Sequence, residues 1–254
     1  MILLLDIGNT HTHIGLANSR RVVRHWDMHT SDWFSPRATQ SLKRSLKQSS
    51  VAGAALCSVV PRAVRPARRV LRELWAVRAL VLSPATVRGV GVDYPNPDSI
   101  GPDRLANAVA ARERFGAPVV VVDFGTAVTF DVVDGSGNYV GGIIAPGLAA
   151  MTDYLHEKTA LLPRIRIRDT EASVGKNTEQ AMLIGALHGY RGLVRELIRR
   201  LKRELGVRRL PVVATGGYAK LMAAKLNEIS AVEPALTLEG LRLCWQANAL
   251  HPED

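Results

Sequence analysis

Two short apolar runs along the chain end in an acidic residue followed closely by glycine. Ile2 to Leu5 runs into Asp6-Ile7-Gly8-Asn9-Thr10, and Val119 to Val122 runs into Asp123-Phe124-Gly125-Thr126-Ala127. A short apolar run bounded by a turn signal predicts a buried strand. The continuations are also alike. The first passes through Ile14-Gly15-Leu16 to a polar turn at Asn18-Ser19-Arg20 and on to Val22-Val23 and Trp26. The second passes through Val128-Thr129-Phe130-Asp131-Val132-Val133, a turn from Asp134 to Asn138, and Tyr139-Val140-Gly141-Gly142-Ile143-Ile144. Alternation and turn chemistry of this kind predict that each half opens with three strands in a meander.

Helical and strand periods then alternate. Thr39 to Lys47 and Arg62 to Trp75 predict helices, with strands at Ala54 to Val60 and Ala79 to Leu82. In the second half a long helix from about Thr178 to Leu205 precedes a strand at Pro211 to Ala214. Thr215-Gly216-Gly217 follows, then helices at Tyr218 to Leu226 and Leu238 to Ala249. The expectation is an α/β chain of two β-β-β-α-β-α-β halves, residues 1–115 and 116–254. This layout resembles the duplicated actin-like fold of the acetate and sugar kinase superfamily (RNase H-like), whose halves surround a nucleotide cleft; the halves are expected to meet near Ala111 to Pro118. Such a likeness fixes no substrate.

Composition narrows the class. With 254 residues, 47% of them hydrophobic, the chain can fill a real core. The first apolar run stops at Asp6, too soon for a signal peptide, and no apolar stretch approaches the roughly 20 residues of a membrane span. A cytoplasmic protein is expected. Its two cysteines, Cys57 and Cys244, lie in apolar surroundings, as buried free thiols do. The formal charge of +10 raises nucleic acid as a partner. However, Arg62, Arg65, Arg68, Arg69 and Arg72 share a helix period with Val64, Val70, Leu71 and Leu74, which makes them the solvated face of that helix. Aromatic residues are too few for a stacking platform.

The candidate chemistry begins at the two acidic turns. Gly8 lets the backbone approach an anion, Asn9 and Thr10 offer hydrogen bonds, and Asp6 can hold Mg²⁺ directly or through water. A single copy reads equally as a plain strand-to-turn connection. With the second copy, Asp123, Gly125 and Thr126 would face the first loop if the halves are related by approximate twofold symmetry. No G-x-x-x-x-G-K-[ST] or complete G-x-G-x-x-G occurs, Lys176 being followed by Asn177. Thr215-Gly216-Gly217 could admit adenine and ribose beside bare backbone, or simply turn into a helix. The rigid, polar stretch from Asp93 to Arg104 suits substrate recognition ahead of a helix; alternatively Asp103 complements the helix dipole and Arg104 is solvated. His11 and His13 lack the partners of a metal site and read as strand or loop residues near phosphate. Arg164, Arg166 and Arg168 alternate with Ile165 and Ile167, which predicts an exposed strand edge.

Seven pieces in order resemble the type III pantothenate kinases from end to end. They are Asp6-Ile7-Gly8-Asn9-Thr10, Ser58-Val59-Val60-Pro61, Gly101-Pro102-Asp103-Arg104, Asp123-Phe124-Gly125-Thr126-Ala127-Val128-Thr129, Gly142-Ile143-Ile144-Ala145-Pro146-Gly147, Gly175-Lys176-Asn177-Thr178 and Thr215-Gly216-Gly217. Pro102 departs from the family's more usual alanine.

The resemblance implies ATP-dependent phosphorylation of pantothenate to 4′-phosphopantothenate, the first step of coenzyme A biosynthesis. It implies Asp103 as the general base. Tyr94, Gly101, Pro102, Asp103 and Arg104 are the implied substrate contacts, with Thr178 reaching the site of the neighbouring subunit in a homodimer. Asp6, Ile7, Gly8, Asn9, Thr10, His11, Thr12, His13 and Thr126 are the implied ATP contacts. Asp123 is the implied ligand of a monovalent cation, K⁺ or NH₄⁺, required besides Mg²⁺. Two alternatives stay open: a non-enzymatic accessory to transcription, for which some relatives are named, and another small-molecule kinase of the superfamily.

Overall fold

The computed structural model describes residues 1–47 and 49–250. In chain order it begins with β1 (Ile2–Ile7), β2 (His11–Ala17), β3 (Val22–His29), α1 (Arg37–Ser45), β4 (Gly53–Ser58), α2 (Pro61–Trp75) and β5 (Ala79–Val81). These strands form one sheet in the order β3-β2-β1-β4-β5. β1 lies between an antiparallel partner, β2, and a parallel one, β4. Its leucines are buried on both faces, which is why it reads as unbroken hydrocarbon. β2, by contrast, alternates: Thr12 and Ile14 face the core while His11 and His13 face outward. The turn into β3 is tied by Asn18, whose Oδ1 accepts from the amides of Arg20 and Arg21 at 2.8 and 2.9 Å. α2 starts at Pro61, where a missing N–H costs nothing. It buries Ala63, Ala67, Val70 and Leu71 and leaves Arg62, Arg65, Arg68, Arg69 and Arg72 exposed.

The chain continues through β6 (Gly91–Val92) and α3 (Pro102–Phe115), then repeats its opening with β7 (Val119–Phe124), β8 (Ala127–Val133) and β9 (Asn138–Pro146). After these come α4 (Leu148–Lys158), α5 (Thr178–Glu204), β10 (Val212–Thr215), α6 (Ala219–Ala223), β11 (Ala231–Val232) and α7 (Leu236–Leu250). β11, β10, β7, β8 and β9 follow one another in a second sheet. α5 buries Leu183, Leu187, Tyr190, Val194 and Ile198 at helical spacing. Its start is capped by Asn177 Oδ1 on the Gln180 amide at 2.9 Å, and Gln180 Oε1 accepts from Lys176 N at 2.9 Å.

α4 stands outside the expected pattern. Of its residues only Leu148 and Thr152 are buried, whereas Met151, Tyr154 and Leu155 are exposed, so it carries no clean helical stripe. The alternation of Arg164 to Arg168 does not become a strand edge. That stretch pairs with no strand; Ile165 is buried, Arg164 lies 3.5 Å from Asp153, and Arg168 lies 3.3 Å from Glu179. Nearby, the buried Arg191 of α5 donates to Asp169 at 2.9 Å, and that hydrogen bond holds the Asp169 carboxyl below its ordinary range. No helix among the described residues is long and apolar enough to cross a membrane.

The chain forms two compact units. The first takes in Met1–Gly116, Gly137–Val140 and the described residues from Ala235 to Leu250, and the second takes in Ala117–Ser136 and Gly141–Pro234. The expected division at 115/116 had placed α7 in the other half. Within the first unit α7 packs along α3 and across β1 and β4. The crossing is close: a Cβ on Gly240 would stand 1.9 Å from the Ala106 carbonyl oxygen. Thr237 Oγ1 donates to Asn107 Oδ1 at 2.8 Å, Glu239 Oε1 accepts from Val22 N at 2.7 Å, and the buried Arg242 donates to Ser19 O at 3.1 Å. β6 pairs with the opening of β9, Gly91 beside Asn138 and Val92 beside Tyr139.

Candidate active site

In the first unit the site is built at the carboxyl ends of β1 and β4. The β1–β2 turn is closed by Gly8 N donating to His11 O at 3.0 Å, and a Cβ on Gly8 would stand 2.9 Å from that oxygen. Thr30 braces the turn from behind, donating its hydroxyl to Gly8 O at 2.7 Å and its amide to Thr10 O at 2.9 Å. Ile7 and Thr12 are fully buried, and Trp33 Nε1 donates to the Thr12 hydroxyl at 2.9 Å. Those two side chains face the core, so only their backbone is left to meet a ligand. Asn9, Thr10, His11 and His13 are exposed, and the rings of His11 and His29 lie 4.9 Å apart. Ser58-Val59-Val60-Pro61 leads from β4 into α2. Val59, Val60 and Pro61 wall a cavity of about 320 Å³ with Asn9, Thr30, Ser31, Phe34 and Arg62.

Strand register brings four side chains into one row. Asp27 of β3 is opposite His13 of β2, His13 is opposite Asp6 of β1, and Asp6 is beside Cys57 of β4. His13 Nδ1 and Asp27 Oδ1 are 2.7 Å apart, and the Cys57 thiol donates to Asp6 Oδ1 at 3.3 Å. Burial pushes the Cys57 thiol well above its ordinary value, and the negative charges of Asp6 and then Asp103 raise it further. Asp103 therefore belongs to the same neighbourhood as Asp6.

Asp103 sits in the first turn of α3, behind Gly101 as N-cap and Pro102 as first helical residue. Its Oδ1 accepts from the Arg104 amide at 3.0 Å. Burial raises the Asp103 pKa; that hydrogen bond and the Arg104 charge oppose the rise without cancelling it. A Cβ on Gly101 would stand 2.5 Å from the same carboxylate oxygen. Arg104 and Tyr94 meet through a residue the sequence did not single out. The Arg104 guanidinium lies 5.8 Å from the centre of the buried Tyr139 ring, and Tyr94 contacts that ring edge-on at 6.3 Å. Asp93 N also donates to Tyr139 O at 3.0 Å. The sequence marks Tyr139 only as a strand residue after the turn from Asp134 to Asn138.

The second unit gathers its own set. Asp123 is the last residue but one of β7, and Gly125 N donates to Ala127 O at 3.0 Å to close a turn one residue shorter than its counterpart at Gly8. β10 runs parallel to β7 with Thr215 beside Asp123. Gly216, at φ +88°, approaches so closely that a Cβ would stand 2.4 Å from Asp123 Oδ1. Gly147 lies against the same turn, its amide donating to Thr126 O at 3.2 Å. Tyr190 of α5 ties this corner down by donating to Pro146 O at 3.1 Å, and burial pushes its phenol up to about 12. Thr178 opens α5 and is exposed.

Among the described residues no group of three or more His, Cys, Asp and Glu side chains is placed to hold a metal ion. Mg²⁺ in a nucleotide site keeps water and phosphate oxygens as ligands and asks the protein for only one or two carboxylates. Asp6 at the end of β1 supplies such a group. Asp123, near the end of β7, offers a carboxylate, while the neighbouring Thr126 carbonyl accepts from the Gly147 amide.

A family model described as type III pantothenate kinase matches residues 2–200. The type III pantothenate kinase of Akkermansia muciniphila is 45% identical over 97% of this chain and 98% of its own length. Among solved structures, a protein from Campylobacter jejuni described as a Baf family transcriptional activator superposes with a TM-score of 0.63 at 18% identity, covering 98% of this chain and 99% of its own. One described as a 2-dehydro-3-deoxygalactonokinase from Sinorhizobium meliloti gives 0.58 at 14% identity, covering 100% and 98%. Those two likenesses establish the actin-like fold shared with sugar kinases. With the sequence match across nearly its whole length, this chain belongs to the type III pantothenate kinase family.

Proposed function

We propose that this chain transfers the γ-phosphoryl group of ATP to the primary hydroxyl of pantothenate, giving 4′-phosphopantothenate and ADP, as a cytoplasmic homodimer in the first step of coenzyme A biosynthesis. The observation that carries the reading is Asp103, half-buried in the first turn of α3, raised by burial and kept clear by a bare Gly101. Phosphoryl transfer asks a protein mainly to align the nucleophile and neutralise charge. Asp103 takes the hydroxyl proton as the alcohol oxygen bonds to the γ-phosphorus and the bond to the bridging oxygen breaks. A carboxylate with a raised pKa is a stronger base than an ordinary one.

Tyr94, Gly101, Pro102 and Arg104 form the pantothenate contacts, with Arg104 suited to the substrate's carboxylate. The backbone of Asp6 to His13, with the side chains of Asn9, Thr10, His11 and His13, takes phosphate groups of ATP, and Thr126 contacts ATP as well. Asp6 would hold Mg²⁺, and Asp123 would hold K⁺ or NH₄⁺; bound there, the cations supply positive charge against the phosphates. Thr178, exposed at the start of α5, serves the pantothenate site of the partner subunit.

ADP release from the purified enzyme, measured with MgATP, K⁺ and a panel of alcohols, tests the reading. Turnover is expected with pantothenate and not with sugars or glycerol. Turnover of a sugar in preference to pantothenate would overturn it.

A further inference from the structure

One hydrogen-bonded side-chain pair beside the site joins His13, an ATP contact in the reading above, to Asp27, which has no role in it. Directly opposed residues on neighbouring antiparallel strands share a face, with Cβ atoms about 4.5–5.5 Å apart. Asp27, His13 and Asp6 therefore project together from β3, β2 and β1. α7 covers this face one step along β2, where Leu238 packs on Gly15. At His13 and Asp27 the face is open, their side chains being 52% and 58% exposed.

A carboxylate only accepts, so the 2.7 Å contact requires Nδ1 of His13 to carry the proton. Nε2 is then the ring nitrogen left for a ligand. Exposed ion pairs contribute little to stability, so the fold has small need of this one. Asp6, the residue next to His13 in the row, is itself held on its other side by the Cys57 thiol.

We propose that Asp27 is a positioning residue for ATP: by accepting the Nδ1 proton it fixes the His13 ring, so that Nε2–H of the ring protonated on both nitrogens donates to a phosphate oxygen beside Asp6. The inference rests on His13 being an ATP contact, and the experiment separates the two. Steady-state kinetics of the full-length enzyme are measured for Asp27→Ala, Asp27→Asn, His13→Ala and the double alanine variant, with thermal melting of each. Asp27→Ala is expected to raise KM for ATP about five- to tenfold, the worth of one hydrogen bond, with KM for pantothenate and Tm unchanged. Asp27→Asn, whose amide oxygen still accepts from Nδ1, is expected to stay within about twofold of the parent. The double variant is expected to be no worse than His13→Ala. A raised KM for ATP in His13→Ala beside a normal one in Asp27→Ala overturns the inference alone. A normal KM in His13→Ala overturns the ATP assignment of His13 and the inference with it. Equal losses for both substrates with a lowered Tm make Asp27 a structural residue and also overturn it.

Discussion

Gly101 stands so close to Asp103 that a single added carbon on its Cα would lie 2.5 Å from the carboxylate oxygen. The backbone there, φ −57° and ψ 127°, is open to any residue, so glycine is required by the neighbour and not by the conformation. Gly101→Ala should displace the carboxylate without unfolding the helix. Misplacing a catalytic group by about 1 Å costs up to about 10²-fold. A drop in kcat of about ten- to hundredfold with an unchanged melting temperature is expected; normal kcat would show that the carboxylate has freedom to move.

Asp103→Asn should lower kcat by about 10²- to 10⁴-fold and leave ATP binding intact, as read by nucleotide titration. It should also make the protein more stable near neutral pH. The Asp103 pKa is raised in the folded state, so the stability linked to its protonated form is present below the unfolded carboxyl value and is lost as pH rises through the folded one. Asparagine removes that loss. The gain in Tm over the parent should shrink as pH falls through the carboxylate range, and the acid limb of kcat/KM should lie above the ordinary aspartate value.

Tyr139 lies against two predicted substrate contacts, Arg104 and Tyr94. Replacing its ring with leucine removes the surface on which both Arg104 and Tyr94 rest. Tyr139→Leu should raise KM for pantothenate about tenfold or more and leave KM for ATP near its parent value, whereas Tyr139→Phe, which keeps the ring, should not. Equal effects on both substrates would assign Tyr139 to the core alone.

Two glycines in helices should respond with opposite sign. Gly240 of α7 presses on the backbone of α3, and Gly240→Ala must separate the helices, at a cost of about 1–3 kcal/mol in denaturant unfolding. Gly192 of α5 has nothing within 4 Å of an added Cβ, and Gly192→Ala should stabilise by about 0.5–1 kcal/mol through backbone entropy.

Much of the fold was legible because its signals are local. The unbroken apolar run of β1 and the alternation of β2 report their own burial. The arginines of α2 fall on one side of a helix period, and the helical period from Thr178 onward marks α5. α4 escaped because its apolar residues do not share a buried face, and Arg164 to Arg168 misled because alternation without a partner strand resembles alternation with one. Thr12 could be named as part of the phosphate loop, but its hydroxyl is turned inward by Trp33 and Thr30, which follow it at a distance of a whole strand.

The amino-acid order alone determined the repeated acidic turns, the place of Asp103 at the head of a helix, and the family those motifs belong to. Each is a property of consecutive residues. Only the tertiary structure decided that Asp27, His13, Asp6 and Cys57 form a row, that Tyr139 links Arg104 to Tyr94, and that the last helix packs on α3. Strand register and helix packing are set by complementary surfaces far apart in the chain, and no periodicity within one segment records which distant surface it will meet.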